Sequence, residues 1–129
     1  MSCRTEPHPQ APRLSPDAHG LIFPSDAAFA TAFAQHATTQ ALAAVQRPTS
    51  QASIATATPR PLWKGRRNRY LLAEQDRMIV EDNRRYRVER MGAKVRAHAV
   101  NHAPIATLPA LVLNVLREAV SAIRSDAAR

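Results

Sequence analysis

The clearest hydrophobic pattern in the chain lies near its C-terminus. Between residues 108 and 124, apolar side chains recur at helical spacing and polar side chains occupy the opposite side. The apolar face consists of Leu108, Leu111, Val112, Val115, Leu116, Ala119, Val120 and Ile123. Thr107 is a suitable N-cap, and Pro109 fits the first turn of a helix. The pattern predicts an amphipathic helix over residues 108–124 whose wide apolar face packs against another element.

A different periodicity occupies residues 77–100. Tyr86 and Val88 alternate with charged residues, and Val95 and Ala97 do the same further along the chain. Alternation with a period of two is typical of half-buried strands, because successive side chains point to opposite faces. We therefore predict a small three-stranded antiparallel sheet over residues 77–100, with one apolar face and one cationic face.

The connections in this segment complete the predicted fold. Short turns are expected at Asp82-Asn83 and near Gly92, and short turns make neighbouring strands antiparallel. The helix over residues 108–124 is expected to cover the apolar face of the sheet. The predicted fold class is therefore α+β.

The N-terminal half has a weaker pattern. Ser25 is a good N-cap, alanine dominates the following residues, and Pro48 ends the run, so an Ala-rich helix is predicted over residues 26–46. Prolines and small polar residues on both sides offer little to bury. The chain is thus divided into a Pro-rich flexible tail (1–24), an Ala-rich helix (25–46), a linker (47–62) and a basic β-β-β-α module (63–125).

Charge is distributed unevenly between the two halves. The chain has 18 Lys and Arg residues against 10 Asp and Glu, a formal net charge of +8. Residues 1–59 contain three Arg and three acidic residues, so residues 60–129 carry the entire excess. A strongly basic domain favours nucleic acid or an acidic protein as its partner.

The basic residues supply the candidate binding site. The predicted cationic sheet face presents Arg77, Arg85, Arg87, Lys94 and Arg96, with Arg66, Arg67 and Arg69 just upstream. Guanidinium groups bind phosphates through paired hydrogen bonds, and a small sheet can enter a major groove. Trp63 precedes the Arg-rich stretch and is suited to stacking on a base. The alternatives are a solvated face, paired with Glu81 and Glu89, and a Trp63 that plugs the edge of the core.

Other kinds of chemistry find no support in the sequence. No phosphate-binding glycine loop or nucleophile elbow is present, so we predict no catalytic residues, no cofactor and no enzymatic activity. His98 and His102 have a metal-ligand spacing only on a helix, and no further ligand pattern completes a metal site. The single Cys3 allows no intrachain disulfide. Prolines interrupt the first twenty residues, and no apolar run reaches ~18 residues, so a cytoplasmic location without membrane association is expected.

These patterns lead to the hypothesis of a small non-enzymatic nucleic-acid-binding protein, such as a regulator, whose Arg-rich sheet face contacts phosphates. They do not distinguish DNA from RNA. The alternative is a protein-interaction module (an adaptor, inhibitor or assembly subunit) whose basic face docks on an acidic protein. Its second docking element would be either the Ala-rich helix with Phe29 and Phe33 or the Leu21-Ile22-Phe23 segment. Because so small a domain buries few side chains, a homodimer through the C-terminal helix is also expected.

Overall fold

The computed structural model describes residues 7–35 and 44–127, in which short helices and strands surround one β-α-β unit. The elements, in chain order, are β1 (Leu21–Ile22), α1 (Asp26–Ala28), a π-helical turn (Phe29–Phe33), β2 (Thr49–Ser50), α2 (Gln51–Ala55), a 3-10 turn (Leu62–Gly65), β3 (Arg69–Ala73), α3 (Glu81–Met91), β4 (Lys94–His98), α4 (Pro104–Thr107) and α5 (Pro109–Ala127). Helix and strand are mixed, which is compatible with the predicted α+β class.

The central sheet differs from the predicted one. β3 and β4 pair in parallel, in a register that runs from Arg69 opposite Lys94 to Ala73 opposite His98. Helix α3 connects them, as parallel strands require a crossover. The predicted three-stranded antiparallel sheet over residues 77–100 is wrong, because the described residues form two two-stranded sheets instead. Of that range, only β4 is a strand.

The segment assigned to the second strand is helix α3. Its only alternating apolar residues are Tyr86 and Val88, a pattern too short to outweigh the helix propensity of Glu and Arg. In the helix, Arg84 and Val88 are four residues apart, and Met91 follows three residues later. Arg84 is buried and the other two are half-buried, so this side of α3 faces the protein. Glu81 in the first turn adds favourable charge at the positive end of the helix.

Gly92 ends helix α3 instead of forming a hairpin turn. Its φ is +55°, in the left-handed region. The Gly92 N–H donates to the carbonyl of Glu89 at 3.1 Å, and the Ala93 N–H donates to the carbonyl of Val88 at 3.2 Å. These two bonds form a Schellman motif, which satisfies the last carbonyls of the helix and turns the chain into β4.

We predict that Gly92→Ala lowers the free energy of unfolding by about 1 kcal/mol, because a Cβ atom is disfavoured in the left-handed conformation. The matched control is Gly65→Ala. A Cβ atom at either glycine meets nothing within 4 Å, but only Gly92 of the two has positive φ. Urea denaturation measures the free energy of unfolding of both variants. Equal losses at the two positions would contradict an effect of the left-handed conformation at Gly92.

The N-terminal helix begins at the predicted residue. Ser25 is the N-cap of α1, and its Oγ accepts a hydrogen bond from the Ala28 N–H at 3.2 Å. A π-helical turn follows and ends at Phe33, because Ala34 has non-helical φ and ψ of −137° and 46°. Part of the predicted helix, residues 36–43, lies outside the described residues, as does Cys3. In addition, β1 pairs with β2 in an antiparallel ladder, which joins the segments predicted as tail and linker.

Helix α5 confirms the predicted C-terminal helix, but its placement on the sheet differs. Glu118 of α5 forms ion pairs with Arg69 and Arg96, so the helix lies on the side of the sheet that carries these cations. It contacts β3 and α4. The prediction of an apolar sheet face under the helix and a cationic face opposite it is therefore wrong in this respect.

The broad apolar face of α5 is only partly used. Its half-buried apolar side chains are Leu111, Val112, Val115, Ala119 and Ala122. A neighbouring stripe stays open to solvent: Leu113 (48% exposed), Leu116 (56%), Val120 (55%) and Ile123 (62%). The stripe follows a 3-4-3 spacing, which is the spacing of positions a and d in a heptad. Within the described ranges, no helix combines the length and apolarity needed to cross a membrane.

Candidate functional site

Asp76 is the centre of a buried polar cluster at the carboxyl ends of β3 and β4. It follows β3, and His102 follows β4, so the parallel pairing brings the two together. The Asp76 Oδ1 atom accepts hydrogen bonds from the N–H groups of Met78 (2.7 Å) and Ile79 (3.1 Å). Its Oδ2 atom lies 3.0 Å from Nδ1 of His102. The carboxylate is thus bound on both oxygens.

Arg84 completes this cluster from helix α3. The residue is only 4% exposed, and its Nη1 atom lies 3.8 Å from Oδ2 of Asp76 and donates to the Asp76 carbonyl at 3.2 Å. Burial raises the pKa of Asp76. The hydrogen bonds from His102, Met78 and Ile79, together with the charge of His102, outweigh burial and hold the pKa of the carboxyl below its usual value.

The same edge of the sheet holds the N-terminal segment. The Phe33 ring lies edge-on to His102, with centroids 5.3 Å apart, and the Phe33 carbonyl accepts from the Ala103 N–H at 3.0 Å. Gln35 donates to the carbonyl of Gln75 at 2.6 Å and accepts at its own carbonyl from the Asn101 side chain at 2.8 Å. The N-terminal segment therefore packs against His102 of the Asp76 cluster and against the loops on either side of it.

The amino ends of β3 and β4 carry the basic surface. Arg69 and Lys94 are the first residues of their strands and lie opposite each other, and Arg96 projects from the same face two residues later. Between this face and α5 lies an open groove of about 700 Å³, which we call the basic groove. It is lined by Arg69, Lys94, Arg96, Asn114, Arg117, Glu118 and Ser121. Four cations and one carboxylate leave three formal positive charges there.

Glu118 organises the cations of the basic groove. Its Oε2 atom lies 3.0 Å from Nη2 of Arg96 and 3.6 Å from Nη1 of Arg69, whose Nη2 also donates to the Glu118 carbonyl at 3.1 Å. The Lys94 ammonium makes no ion pair with any described residue and is exposed. The arrangement holds two guanidinium groups in place while Lys94 and Arg117 remain available to an anion.

A second basic surface adjoins the first. An open cleft of about 590 Å³, which we call the Trp63 cleft, is lined by Trp63, Lys64, Arg66, Glu89, Arg90, Met91 and Gly92. The guanidinium carbon of Arg90 lies 5.2 Å from the centre of the indole, and the Lys64 ammonium lies 5.8 Å from it. Only Ala93 separates Gly92 of the cleft from Lys94 of the groove, so both surfaces include residues at the amino end of β4.

The structure separates the sequence-predicted site residues and does not gather them on one face. Arg69, Lys94 and Arg96 come together in the basic groove, and Trp63 and Arg66 in the Trp63 cleft. The exposed Arg67 lies between these two groups in the chain. Arg85 and Arg87 project into solvent from α3, and Arg85 pairs with Glu81 at 2.6 Å. Arg77 donates to the carbonyl of Thr31 at 3.4 Å, away from both surfaces.

Sequence reasoning did not select Arg90 and Arg117, although both belong to the basic surfaces. Arg117 was visible only as part of the polar face of the C-terminal helix, and Arg90 lay on a segment assigned to a strand. Within residues 7–35 and 44–127, no three His, Cys, Asp or Glu side chains group as a metal site. Comparisons of the chain with protein-family models, curated proteins and solved structures found no match.

Proposed function

We propose that the chain is a small nucleic-acid-binding protein, acting as a non-enzymatic regulator in the cytoplasm. Its phosphate contacts are made in the basic groove. The observation that carries the proposal is the convergence of Arg69, Lys94, Arg96 and Arg117 around one carboxylate. Arginine matches the geometry of phosphate oxygens, and a polyanionic backbone gains affinity with each cation it meets.

The second basic surface favours nucleic acid over other polyanions. The Trp63 cleft places an indole next to Lys64, Arg66 and Arg90, and it includes Gly92 just before β4, where the basic groove has Lys94. Cations alone bind any polyanion, whereas a combination of cations with an aromatic ring also suits bases. We therefore expect a nucleic-acid strand to contact both surfaces near the amino ends of β3 and β4.

A double substitution tests the proposal. Replacing Lys94 and Arg117 by Gln should reduce the slope of the logarithm of the binding constant against the logarithm of the salt concentration by roughly 2. Each lost phosphate contact lowers this slope by about 1. The matched control replaces Arg85 and Arg87, which are exposed on α3 and lie outside the groove. Affinity is measured by fluorescence anisotropy with labelled duplex DNA, single-stranded DNA and structured RNA at several salt concentrations. Equal losses of affinity in both double variants would mean that binding depends on net charge and not on the basic groove. If the wild type binds none of the three nucleic acids, the proposal is wrong.

The alternative function, a module that docks on an acidic protein, uses the same basic surfaces. Phe29 is only 3% exposed and Phe33 packs against His102, so these two rings are engaged within the protein itself. Binding of an acidic protein in place of nucleic acid in the same anisotropy assay would support the alternative.

We also propose that the apolar stripe of α5 pairs with the same stripe of a second copy. Leu113, Leu116, Val120 and Ile123 follow the a/d spacing, so an identical helix presents complementary knobs and holes. Each side chain is about half exposed, so its remaining burial contributes roughly 1 kcal/mol. The eight side chains of a symmetric pair therefore contribute roughly 8 kcal/mol, which lies within the range of about 4–15 kcal/mol for the cost of association. The expected dimer is weak and dissociates on dilution.

A further inference from the structure

Trp63 differs from Phe29 and Phe33 in its position. It is the single tryptophan of the chain, and it lies half-buried at the wall of an open cleft. By contrast, Phe29 is buried, and Phe33 packs on both Phe29 and His102. A large aromatic ring left beside open space is available for stacking by a ligand.

We propose that the Trp63 cleft binds an unpaired base of a single-stranded nucleic acid and the phosphate next to it. The inference rests on the proposed function and adds the form of nucleic acid. In a duplex the faces of the bases are stacked on one another, so only an unpaired base can lie against an indole. The cleft volume of about 590 Å³ falls within the range of small-ligand sites.

The charges in the cleft suit a nucleotide rather than a neutral aromatic ligand. Lys64, Arg66 and Arg90 supply three positive charges, and Glu89 removes one, which leaves two. The Arg90 guanidinium and the Lys64 ammonium lie 5.2 and 5.8 Å from the centre of the ring. Both cations lie over the ring, so a base that stacks on Trp63 takes the place of one of them, and the displaced cation is close enough to receive the phosphate of that base.

The cleft is also fixed before any ligand arrives. The side-chain amide nitrogen of Asn68 lies 2.9 Å from the Trp63 carbonyl, 3.0 Å from that of Arg66 and 3.0 Å from that of Met91. This one amide fastens the 3-10 turn that carries Trp63 to the C-terminal end of α3. A site held in this way loses less conformational freedom on binding than a flexible loop.

The basic groove offers contacts for the phosphates that follow the bound base. Gly92 lines the Trp63 cleft, and Lys94, two residues later in the chain, lines the basic groove. A single strand that places a base on Trp63 can lead its following phosphates past Lys94 toward Arg96 and Arg117. The base is thus bound in the cleft, and the backbone is bound in the groove.

The experiment uses Trp63 itself as the reporter, since its fluorescence is the only tryptophan signal in the chain. The full-length protein is titrated with oligo(dT), with an abasic phosphodiester strand of the same length and with duplex DNA. Anisotropy of the labelled strands is recorded in parallel. We expect tryptophan quenching by oligo(dT) and little by the abasic strand or the duplex, although both of these still bind through phosphates.

Variants extend the test. Trp63→Ala should weaken oligo(dT) binding by roughly tenfold to a hundredfold and leave abasic-strand binding nearly unchanged. Trp63→Phe should retain part of the affinity. The matched control is Phe23→Ala, which removes an exposed aromatic ring 40 residues before Trp63 in the sequence. It should change the affinity for neither oligo(dT) nor the abasic strand.

Two outcomes would overturn the inference, and they are distinguishable. If oligo(dT) binds by anisotropy but does not quench Trp63, and Trp63→Ala binds as tightly as the wild type, the base site is wrong while the proposed function stands. If none of the three strands binds, both fail together. The quenching experiment on the wild type is decisive even if a variant does not fold.

Discussion

Replacing Asp76 by alanine is expected to lower the free energy of unfolding by about 3–5 kcal/mol, because it leaves a buried charge without its partner. Arg84 is 4% exposed, and Asp76 is the acidic residue with which it forms an ion pair. The substitution also removes the acceptor for the N–H groups of Met78 and Ile79. A loss of this size is a large share of the stability of a small domain. Thermal and urea denaturation measure it.

The control for this prediction is Asp82→Ala, which removes an exposed acidic residue from the first turn of α3 and should cost only about 0.3–1 kcal/mol. Asp76→Asn provides a milder change where the alanine variant does not fold. If Asp76→Ala and Asp82→Ala were equally stable, the buried cluster would not hold the fold together as described.

The pH dependence of unfolding tests the same cluster independently. The pKa of Asp76 in the folded protein lies below its usual value, so this carboxylate contributes stability above pH ~4 and loses it as the pH falls through the folded pKa. The wild type should therefore become less stable in acid. Asp76→Asn has no group to titrate at this position, so its free energy of unfolding should fall less than that of the wild type as the pH is lowered.

The second large effect is expected in the oligomeric state. Replacing Leu116 and Val120 by Glu should convert a concentration-dependent dimer into a monomer at every concentration, because both charges would be buried between the helices. Both residues are more than half exposed in the protomer, so its fold should survive, as circular dichroism can verify. Sedimentation velocity over a wide range of protein concentrations measures the association.

The control carries the same charges on the other side of the helix. Asn114 and Ser121 are exposed on the polar side of α5, and replacing both by Glu should leave dimerisation in place. A monomeric wild type at all concentrations would contradict the proposed pairing. So would a Leu116 and Val120 double variant that associates as the wild type does.

The sequence predicted those parts of the fold that depend on local patterns. Helix α5 holds seven of the eight regularly spaced apolar residues over 108–124, and the residues of β4 alternate between apolar and polar. The N-cap at Ser25 was correct because its cause is a local hydrogen bond. Helix α3 was missed because its inward side is built around the buried Arg84 rather than around apolar residues. Parallel strands need a crossover connection, and a strand prediction for residues 84–90 provides none. The parallel pairing of β3 and β4 could therefore not be predicted.

The residue types of the candidate site could be predicted from the sequence, but their grouping in space could not. An excess of Lys and Arg after residue 60 was evident, and Trp63 was selected for its neighbours. The grouping of Arg69 with Arg96 depends on strand register, and their contact with Glu118 joins residues 49 and 22 positions apart. No local pattern contains such distances. The Asp76–His102 pair was missed for the same reason, since it joins two loops that only the parallel pairing brings together.

Helix α5 carries the apolar stripe and one wall of the basic groove on different sides, so one helix belongs to both surfaces. Self-association of the stripe would therefore produce an assembly with two grooves at a fixed separation. A nucleic acid long enough to reach both would bind with a high effective local concentration for the second contact. Binding and dimerisation would then be thermodynamically coupled, so that each strengthens the other to the same extent.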